Sequence, residues 1–207
     1  VSAGVDVALD DARDVAEDLV AVLSPACERI EIAGSVRRRK PIVHDIELVA
    51  IPRVVERPLT GLLFEETHPV NLLQEAIDQL LADDNAPLLA RQVENHRQDG
   101  TIEVQEKLGQ AFKALTWHGI PVDLFITDAE RWGCIFALRT GPGDWNIRLV
   151  QDCRRVNRSV AGGRVLHLGI PVPTHEEADF FRELGQPWLD PWERQVERVA
   201  ISWPVPA

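Results

Sequence analysis

Between Leu9 and Ile51 the hydrophobic spacing changes from helical to alternating, and a glycine marks the change of direction. Leu9, Ala12, Ala16, Leu19, Val20 and Leu23 recur at helical intervals, with Asp10, Asp11, Asp14, Glu17 and Asp18 on the other faces. This predicts an amphipathic helix that stops near Pro25. A strand is expected over about Arg29 to Ala33, and Gly34-Ser35 then opens a basic segment, Val36-Arg37-Arg38-Arg39-Lys40, which Pro41 closes. His44 to Ile51 reads as a second strand, β-branched and apolar but interrupted by two acids. Helix, strand, glycine turn and strand in that order make an α/β opening.

The spacing predicts a further helix over Asn71 to Ala82, with Leu72, Leu73, Ala76, Ile77, Leu80 and Leu81 inward. Residues 84–104 lack a pattern and read as loop or short edge strands. Two strands follow, about Ala111 to Trp117 and Val122 to Thr127, joined at His118-Gly119-Ile120-Pro121. In the second, Val122, Leu124 and Ile126 share one face, Asp123 and Phe125 the other. From Ala129 the pattern is helical: one helix to Arg139, a break at Thr140-Gly141-Pro142-Gly143, then a basic helix to about Asn157. Gly162-Gly163 marks a hairpin between Ser159-Val160 and Arg164 to Leu168. Glu176 to Leu184 and Trp192 to Val199 read as short helices. The change of character near residue 128 divides the chain into segments 1–128 and 129–207.

The 207 residues are 45% hydrophobic and 27% charged, enough to bury a core in one domain or two lobes. No apolar run approaches the roughly 20 residues of a membrane span, and no charged segment followed by an apolar one opens the chain. Cys27, Cys134 and Cys153 lie far apart without CxxC spacing, which fits reduced thiols in the cytoplasm and not a structural zinc. A net charge of -11 argues against a polyanionic partner. Yet the stretch from Arg131 to Arg164 holds seven Arg against two acids, a local balance of +5, so one basic strip stays compatible with nucleic acid.

Asp45 and Glu47 are one residue apart in an apolar strand, and a period of 2 puts both carboxylates on one face. Such a pair repels unless a cation sits between, and an oxygen-loving divalent ion such as Mg2+ is the natural occupant. Two residues alone fit a solvent-facing strand equally well. Asp123 is a third acid in an apolar strand, which a neighbouring strand can bring beside the first two. Three convergent carboxylates can hold two metals for in-line phosphoryl displacement. Gly34-Ser35 supplies a complementary half: a close backbone turn, a helix start whose N–H groups suit phosphate, and the Ser35 hydroxyl. Arg37 and Arg38 add fork-shaped positive charge. Gly-Ser-x-Arg alone is weak, but with Asp-x-Glu following on a strand it is specific.

The run Ala33-Gly34-Ser35-Val36-Arg37-Arg38-Arg39-Lys40 through Asp45-Ile46-Glu47, then Val122-Asp123-Leu124, resembles the palm of the nucleotidyltransferase superfamily. More narrowly the chain resembles the X family of DNA polymerases, of the polymerase beta kind, in the short form found in phages and prokaryotes. Thr140-Gly141-Pro142 with Asn146, the Gly162-Gly163 hairpin, and Asp179-Phe180-Phe181 through Leu184-Gly185-Gln186-Pro187-Trp188 to Pro191-Trp192-Glu193-Arg194 carry the narrower likeness.

The resemblance implies an α/β (α+β) palm over 1–128, a mixed sheet flanked by helices. A small, mostly helical thumb lobe with a β-hairpin is expected over 129–207. It implies that Asp45, Glu47 and Asp123 bind two Mg2+ ions, Mn2+ being the alternative, with Asp123 beside the primer 3′-hydroxyl. Gly34, Ser35 and Arg38 would hold the β- and γ-phosphates of an incoming dNTP. Thr140 and Gly141 would pack against its sugar, and Asp144 and Asn146 would lie beside the base. In the family a cis peptide follows that glycine; here the bond is Gly141-Pro142, where cis is cheap. Arg148, Arg154, Arg155 and Arg158 would approach template phosphate or the base pair. The implied activity is primer extension on primer-template or gapped DNA, by a monomer away from membranes.

The sequence departs from the family in several places. Glu47 stands where the familiar polymerases have Asp, Leu138 and Arg139 replace an aromatic pair beside the sugar, and there is no Tyr. The chain as given begins at the palm, without helix-hairpin-helix modules, and none of its lysines (Lys40, Lys107, Lys113) matches a lyase lysine. These departures keep a second reading open, transfer to RNA ends, a protein or a small molecule. A third is a non-catalytic nucleic-acid-binding subunit, against which the three intact acids speak. His44 reads as a strand-edge residue, and His167 and His175 as solvent-facing. Trp188 and Trp192 read as packing of the last lobe and not as base platforms.

Overall fold

The computed structural model describes residues 5–58, 66–96 and 102–195. β1 (Val7–Ala8) leads directly into α1 (Leu9–Leu23), which buries Ala12, Ala16, Leu19 and Leu23 and turns its acids outward. Asp10 and Asp11 in the first turn suit the positive end of the helix dipole. The helix stops where Ser24 Oγ donates back to the Val20 carbonyl (2.6 Å) and Pro25 has no N–H to continue the ladder. β2 (Cys27–Ile32), α2 (Gly34–Arg37), β3 (Ile42–Val43) and β4 (Ile46–Pro52) follow. The expected strand His44–Ile51 therefore starts later than its sequence suggests. Val43 pairs with Val7, the chain bends at His44, and Asp45 lies in the link before β4. The period-2 argument holds for Glu47 but not for Asp45.

β5 (Val54–Pro58) and β6 (Thr67–Asn71) pair with each other, and α3 (Leu72–Ala82) starts at Asn71, whose Oδ1 accepts the Gln74 N–H at 3.0 Å. β7 (Leu88–Ala90), β8 (Gln92–His96) and β9 (Ile102–Glu106) occupy the unpatterned stretch, of which 97–101 lie outside the described residues. β10 (Phe112–Trp117) and β11 (Ile120–Ile126) are joined by His118-Gly119 alone, with φ of 47° and 81°, the pair of positive values a type I′ turn requires.

β2, β4, β11, β10 and β7 form one five-stranded sheet in that order. The β4–β11 contact is parallel and the others antiparallel, so the sheet is mixed. One face carries Ile46, Leu48, Ala50, Val122 and Leu124 and packs against Ala16 and Leu19 of α1 and Leu73 and Ile77 of α3. Each buried Val, Leu or Ile among them contributes on the order of 1.5–3 kcal/mol. The opposite face carries Val49 and Phe125, covered by Trp132 and Phe136 of α4 (Trp132–Thr140).

α5 (Gly143–Asp152), β12 (Arg158–Ala161), β13 (Arg164–His167), β14 (Ile170–Val172) and α6 (Glu177–Glu183) build the C-terminal part around Trp145, Leu149, Phe180 and Phe181. The Gly162-Gly163 hairpin forms as expected, and β14 adds a third strand to it. The expected helix from Trp192 is a 3-10 turn, Pro191–Glu193, and its continuation beyond 195 lies outside the described residues. The chain is thus a mixed α/β protein with a mixed sheet flanked by helices. α4 contributes Trp132 and Phe136 to the cluster on the sheet and Cys134 and Ala137 to the C-terminal core. No helix among the described residues is long and apolar enough to cross a membrane.

Candidate active site

The acids lie where the α4-covered face of the sheet runs out. Val49 and Phe125 are roofed by Trp132 and Phe136; two residues earlier on each strand the same face presents Glu47 and Asp123. Asp123 and Glu47 are direct partners in the parallel β4–β11 register. Gly34 sits against Glu47 at φ +60°, and a Cβ on it would stand 2.0 Å from Glu47 Oε2. Only glycine lets the backbone take this conformation and come so close to the carboxylate. The Ala33 N–H donates to the Glu47 carbonyl at 2.8 Å and fixes the start of α2 beside β4.

Burial raises the Glu47 carboxyl to about 7, Asp45 and Asp123 add to the rise, and Arg38 and Arg139 oppose it. Asp123 is also raised, by burial first and by Asp45, against the pull of Arg91, Arg139 and Lys107. The three acids therefore feel one another's charge. Among the described residues, however, no three His, Cys, Asp or Glu side chains gather closely enough to hold a metal together. Coulomb forces reach further than coordination bonds, and here Asp123 is turned onto Arg91 in a direct ion pair. Asp45, Glu47 and Asp123 remain the residues that could hold a divalent cation. Their oxygen donors are of the type a hard divalent cation takes.

Ser35 Oγ and Arg38 Nε are buried without a partner. Arg38 Nη1 donates to the Thr140 carbonyl at 2.5 Å, and burial lowers its basicity while Glu47, Asp45 and Asp144 work the other way. Arg37 reaches across in parallel: Nη1 donates to Thr140 Oγ1 (2.7 Å), and Nη1 and Nη2 both donate to the Glu177 carboxylate at 2.8 Å. Its guanidinium also lies 3.9 Å over the Phe136 ring. Glu177 receives a further bond from Arg194 Nη1 at 2.8 Å. The glycine turn is thereby tied through two consecutive arginines to α4 and to α6.

The other expected residues are less concentrated. Gly141 is packed so tightly that a Cβ would meet Asn146 Oδ1 and the Trp145 ring at 2.5 Å. The Gly141-Pro142 bond is trans, so the cis peptide expected there is absent; no cis bond occurs among the described residues. The Asn146 amide donates to the Leu138 and Gly141 carbonyls (2.7 and 3.0 Å) and braces the turn, leaving Oδ1 buried and unpartnered. Asp144 Oδ1 accepts its neighbour's Trp145 N–H. Arg148 and Arg155 lie 3.7 and 3.6 Å from Asp152, and Arg158 pairs with Glu183 at 2.9 Å. His44 pairs with Asp6, both exposed.

Three participants had no sequence signal of their own. Arg91 follows the apolar run Leu88-Leu89-Ala90 in the stretch read as loop or short edge strands, and Glu177 and Arg194 lie in segments read as short helices, where nothing marks them as partners of each other or of Arg37. Lys113 is fully buried, with Nζ donating to Gln74 Oε1 at 2.6 Å and to the Leu108 and Gly109 carbonyls. A lysine within the apolar run of β10 was the available hint. Compared with known proteins, the chain matches no protein-family model and no curated protein sequence.

Proposed function

We propose that this protein is a nucleotidyltransferase of the X-family DNA polymerase type. It would transfer a nucleoside monophosphate from dNTP to a primer 3′-hydroxyl, on gapped or primed DNA. The observation that carries the reading is the contact of Gly34 with Glu47, itself in register with Asp123: a glycine turn held against paired acids. Asp45, Glu47 and Asp123 would hold Mg2+ or Mn2+, which when bound supplies charge neutralisation for in-line displacement at phosphorus.

The chain's own residues divide the remaining work. The orphaned Ser35 hydroxyl and Arg38 Nε are donors that phosphate oxygens would satisfy. Asp123 is among the residues lining a cavity with Phe125 and Arg139, through which an acceptor hydroxyl would approach. The acceptor oxygen bonds to the α-phosphorus, the bond to pyrophosphate breaks, and the hydroxyl proton leaves by way of the Asp123 carboxylate. Burial makes the Asp123 carboxyl a weaker acid than usual, which suits its carboxylate to take that proton. Alignment of the two substrates, held by the Arg37 and Arg38 ties to Thr140, supplies the rest.

Glu47 and the exposed Arg139 favour a second reading in which the same transfer is made to an RNA end or another acceptor. One experiment tests both. Labelled DNA as single strand, primer-template and one-nucleotide gap receives single dNTPs or NTPs with Mg2+ or Mn2+, beside Asp123→Ala. Templated addition that Asp123→Ala abolishes is the expected result; no addition to any DNA, with nucleotide still bound, overturns the polymerase reading.

A further inference from the structure

Glu47, Asp123, Ala114 and Arg91 form one row across the sheet. Glu47 faces Asp123 in the β4–β11 register, and Asp123 faces Ala114 in the β11–β10 register. Ala90, the last residue of β7, faces Leu115. Arg91 extends that register by one residue, its N–H donating to the Ala114 carbonyl at 2.9 Å. Residues that face each other across a ladder share one side of the sheet, so Arg91 stands on the side of the acids. With strands about 4.8 Å apart, the Arg91 and Asp123 backbones lie roughly 10 Å from each other. An arginine spans that gap only if the residue between is small, and it is the fully buried Ala114. The guanidinium reaches over this alanine and pairs directly with the Asp123 carboxylate.

Both partners are half-withdrawn from water. Each side chain is 23% exposed, and Arg91 Nε is buried without an acceptor. Burial and the nearby Asp45 disfavour the charge on Asp123, so without a cation at the acids it needs a positive neighbour. An arginine supplies one permanently, because it cannot give up its proton. A divalent cation at Asp45, Glu47 and Asp123 would require the same carboxylate oxygens and would repel the guanidinium. Arg91 also roots the β8–β9 hairpin, whose other root is Lys107: Gln92 faces Glu106 at its base, and the Ala114 N–H donates to the Lys107 carbonyl at 2.8 Å. Among the described residues Arg91 is the only ion-pair partner of Asp123, although the charge of Lys107 also reaches it.

We propose that Arg91 is an internal counter-ion that occupies Asp123 until a divalent cation displaces it, so that this ion pair sets the cation concentration at which the acids assemble. The inference rests on the reading of Asp45, Glu47 and Asp123 as a cation site and adds its regulation. Arg91 is thus a positioning residue: it acts through Asp123 and takes no part in the transfer itself.

The test is Mn2+ binding, followed by loss of the free-ion electron paramagnetic resonance signal, in wild type, Arg91→Gln, Arg91→Lys and Lys107→Gln. Arg91→Gln should bind Mn2+ about tenfold more tightly, because one charge-assisted hydrogen bond no longer has to be broken. A damaged site would bind more weakly, so a gain in affinity does not arise from misfolding. Arg91→Lys keeps the charge and should stay close to wild type. Lys107→Gln removes a charge without an ion pair and should gain no more than about twofold. In EDTA Arg91→Gln should melt below wild type, and saturating Mn2+ should close that gap. In an Asp123→Asn background Arg91→Gln should leave Mn2+ affinity unchanged. Equal affinity in wild type and Arg91→Gln overturns the proposal, as do equal gains in Arg91→Gln and Lys107→Gln, or no Mn2+ binding by either wild type or Arg91→Gln. The transfer assay separates the two readings. Tighter Mn2+ binding in Arg91→Gln without transfer to any acceptor refutes the transferase and leaves the counter-ion. Transfer by the wild type, with Mn2+ affinity indifferent to Arg91→Gln, refutes the counter-ion and leaves the transferase.

Discussion

Replacing Glu177 by Ala should destabilise the protein through one orphaned charge. Glu177 is 6% exposed and accepts two bonds from Arg37 and one from Arg194, each at 2.8 Å. The two arginines do not suffer equally. Arg37 keeps Thr140 Oγ1 and the Phe136 face, and its side chain is 21% exposed, so water can reach it. The Arg194 side chain is 0% exposed, and without Glu177 its remaining acceptor is the neutral Leu189 carbonyl, at 3.1–3.2 Å. Breaking a buried pair from one side costs about 3–5 kcal/mol. In a chain of this size each kcal/mol moves Tm by about 2–4 °C, so a drop of roughly 6–20 °C is expected. Urea unfolding followed by circular dichroism reads the same loss as a lower midpoint at constant slope. Glu177→Ala/Arg194→Met removes the orphaned charge and should recover much of the loss. A double variant no more stable than Glu177→Ala would refute the reasoning, because the cost would then lie in packing and not in charge. Burial pushes the Glu177 carboxyl up, but the bonds from Arg37 and Arg194 prevail and hold it below the ordinary range. Its contribution is therefore present above the unfolded value and lost as pH falls through the folded one, so the gap to Glu177→Gln should close in acid.

Gly34→Ala places a methyl 2.0 Å from Glu47 Oε2 and forces a non-glycine residue to φ +60°. We expect a stability loss of about 1–2 kcal/mol in urea unfolding, and a fall of about a hundredfold in nucleotide transfer, since the displaced carboxylate no longer meets its partners; unchanged transfer would contradict the placement. The Glu47 carboxyl stands at about 7 against an ordinary 4.5, so the folded state holds a proton that the unfolded state releases. Relative to Glu47→Gln, wild-type stability should fall by about 3 kcal/mol as pH rises through that window, and at pH 8 Mg2+ should raise the wild-type Tm but not that of the variant.

The ties from the glycine turn to the C-terminal part bear on stability and, if the proposed transfer holds, on catalysis. Arg37 and Arg38 leave adjacent positions of the chain, and both end on Thr140, one at its hydroxyl and one at its carbonyl. Thr140 begins the turn that Asn146 braces and Gly141 makes compact. A phosphate that draws Arg38 towards Ser35 would therefore compete with the bond to Thr140. On the proposed reading, nucleotide binding at Ser35 would thereby be felt at Thr140.

Much of the architecture was legible locally. The stripe Ala12, Ala16, Leu19 and Leu23 predicted α1, and the alternation in Val122 to Ile126 predicted β11 with Asp123 and Phe125 on the face away from α1 and α3. Asp45 was misplaced because pairing of Val43 with Val7, a contact distant in sequence, ends one strand before the next begins. The stretch from 84 on hid β7 because three residues carry too short a pattern to recognise.

Sequence by itself determined which residues are apolar at helical or alternating intervals, and so the elements, the buried faces and the acids that interrupt them. It also determined that a glycine and a serine precede those acids at a loop, because backbone conformation at Gly34 depends on the absence of a side chain. Only the tertiary structure decided that Asp123 stands beside Glu47, since strand register is settled by two segments packing on one core. It likewise decided that Arg91 faces Asp123 and that Glu177 is shared by Arg37 and Arg194. The sequence does not show which charged side chains will pair; their partners are fixed by where burial removes water and makes an unpaired charge too costly to keep.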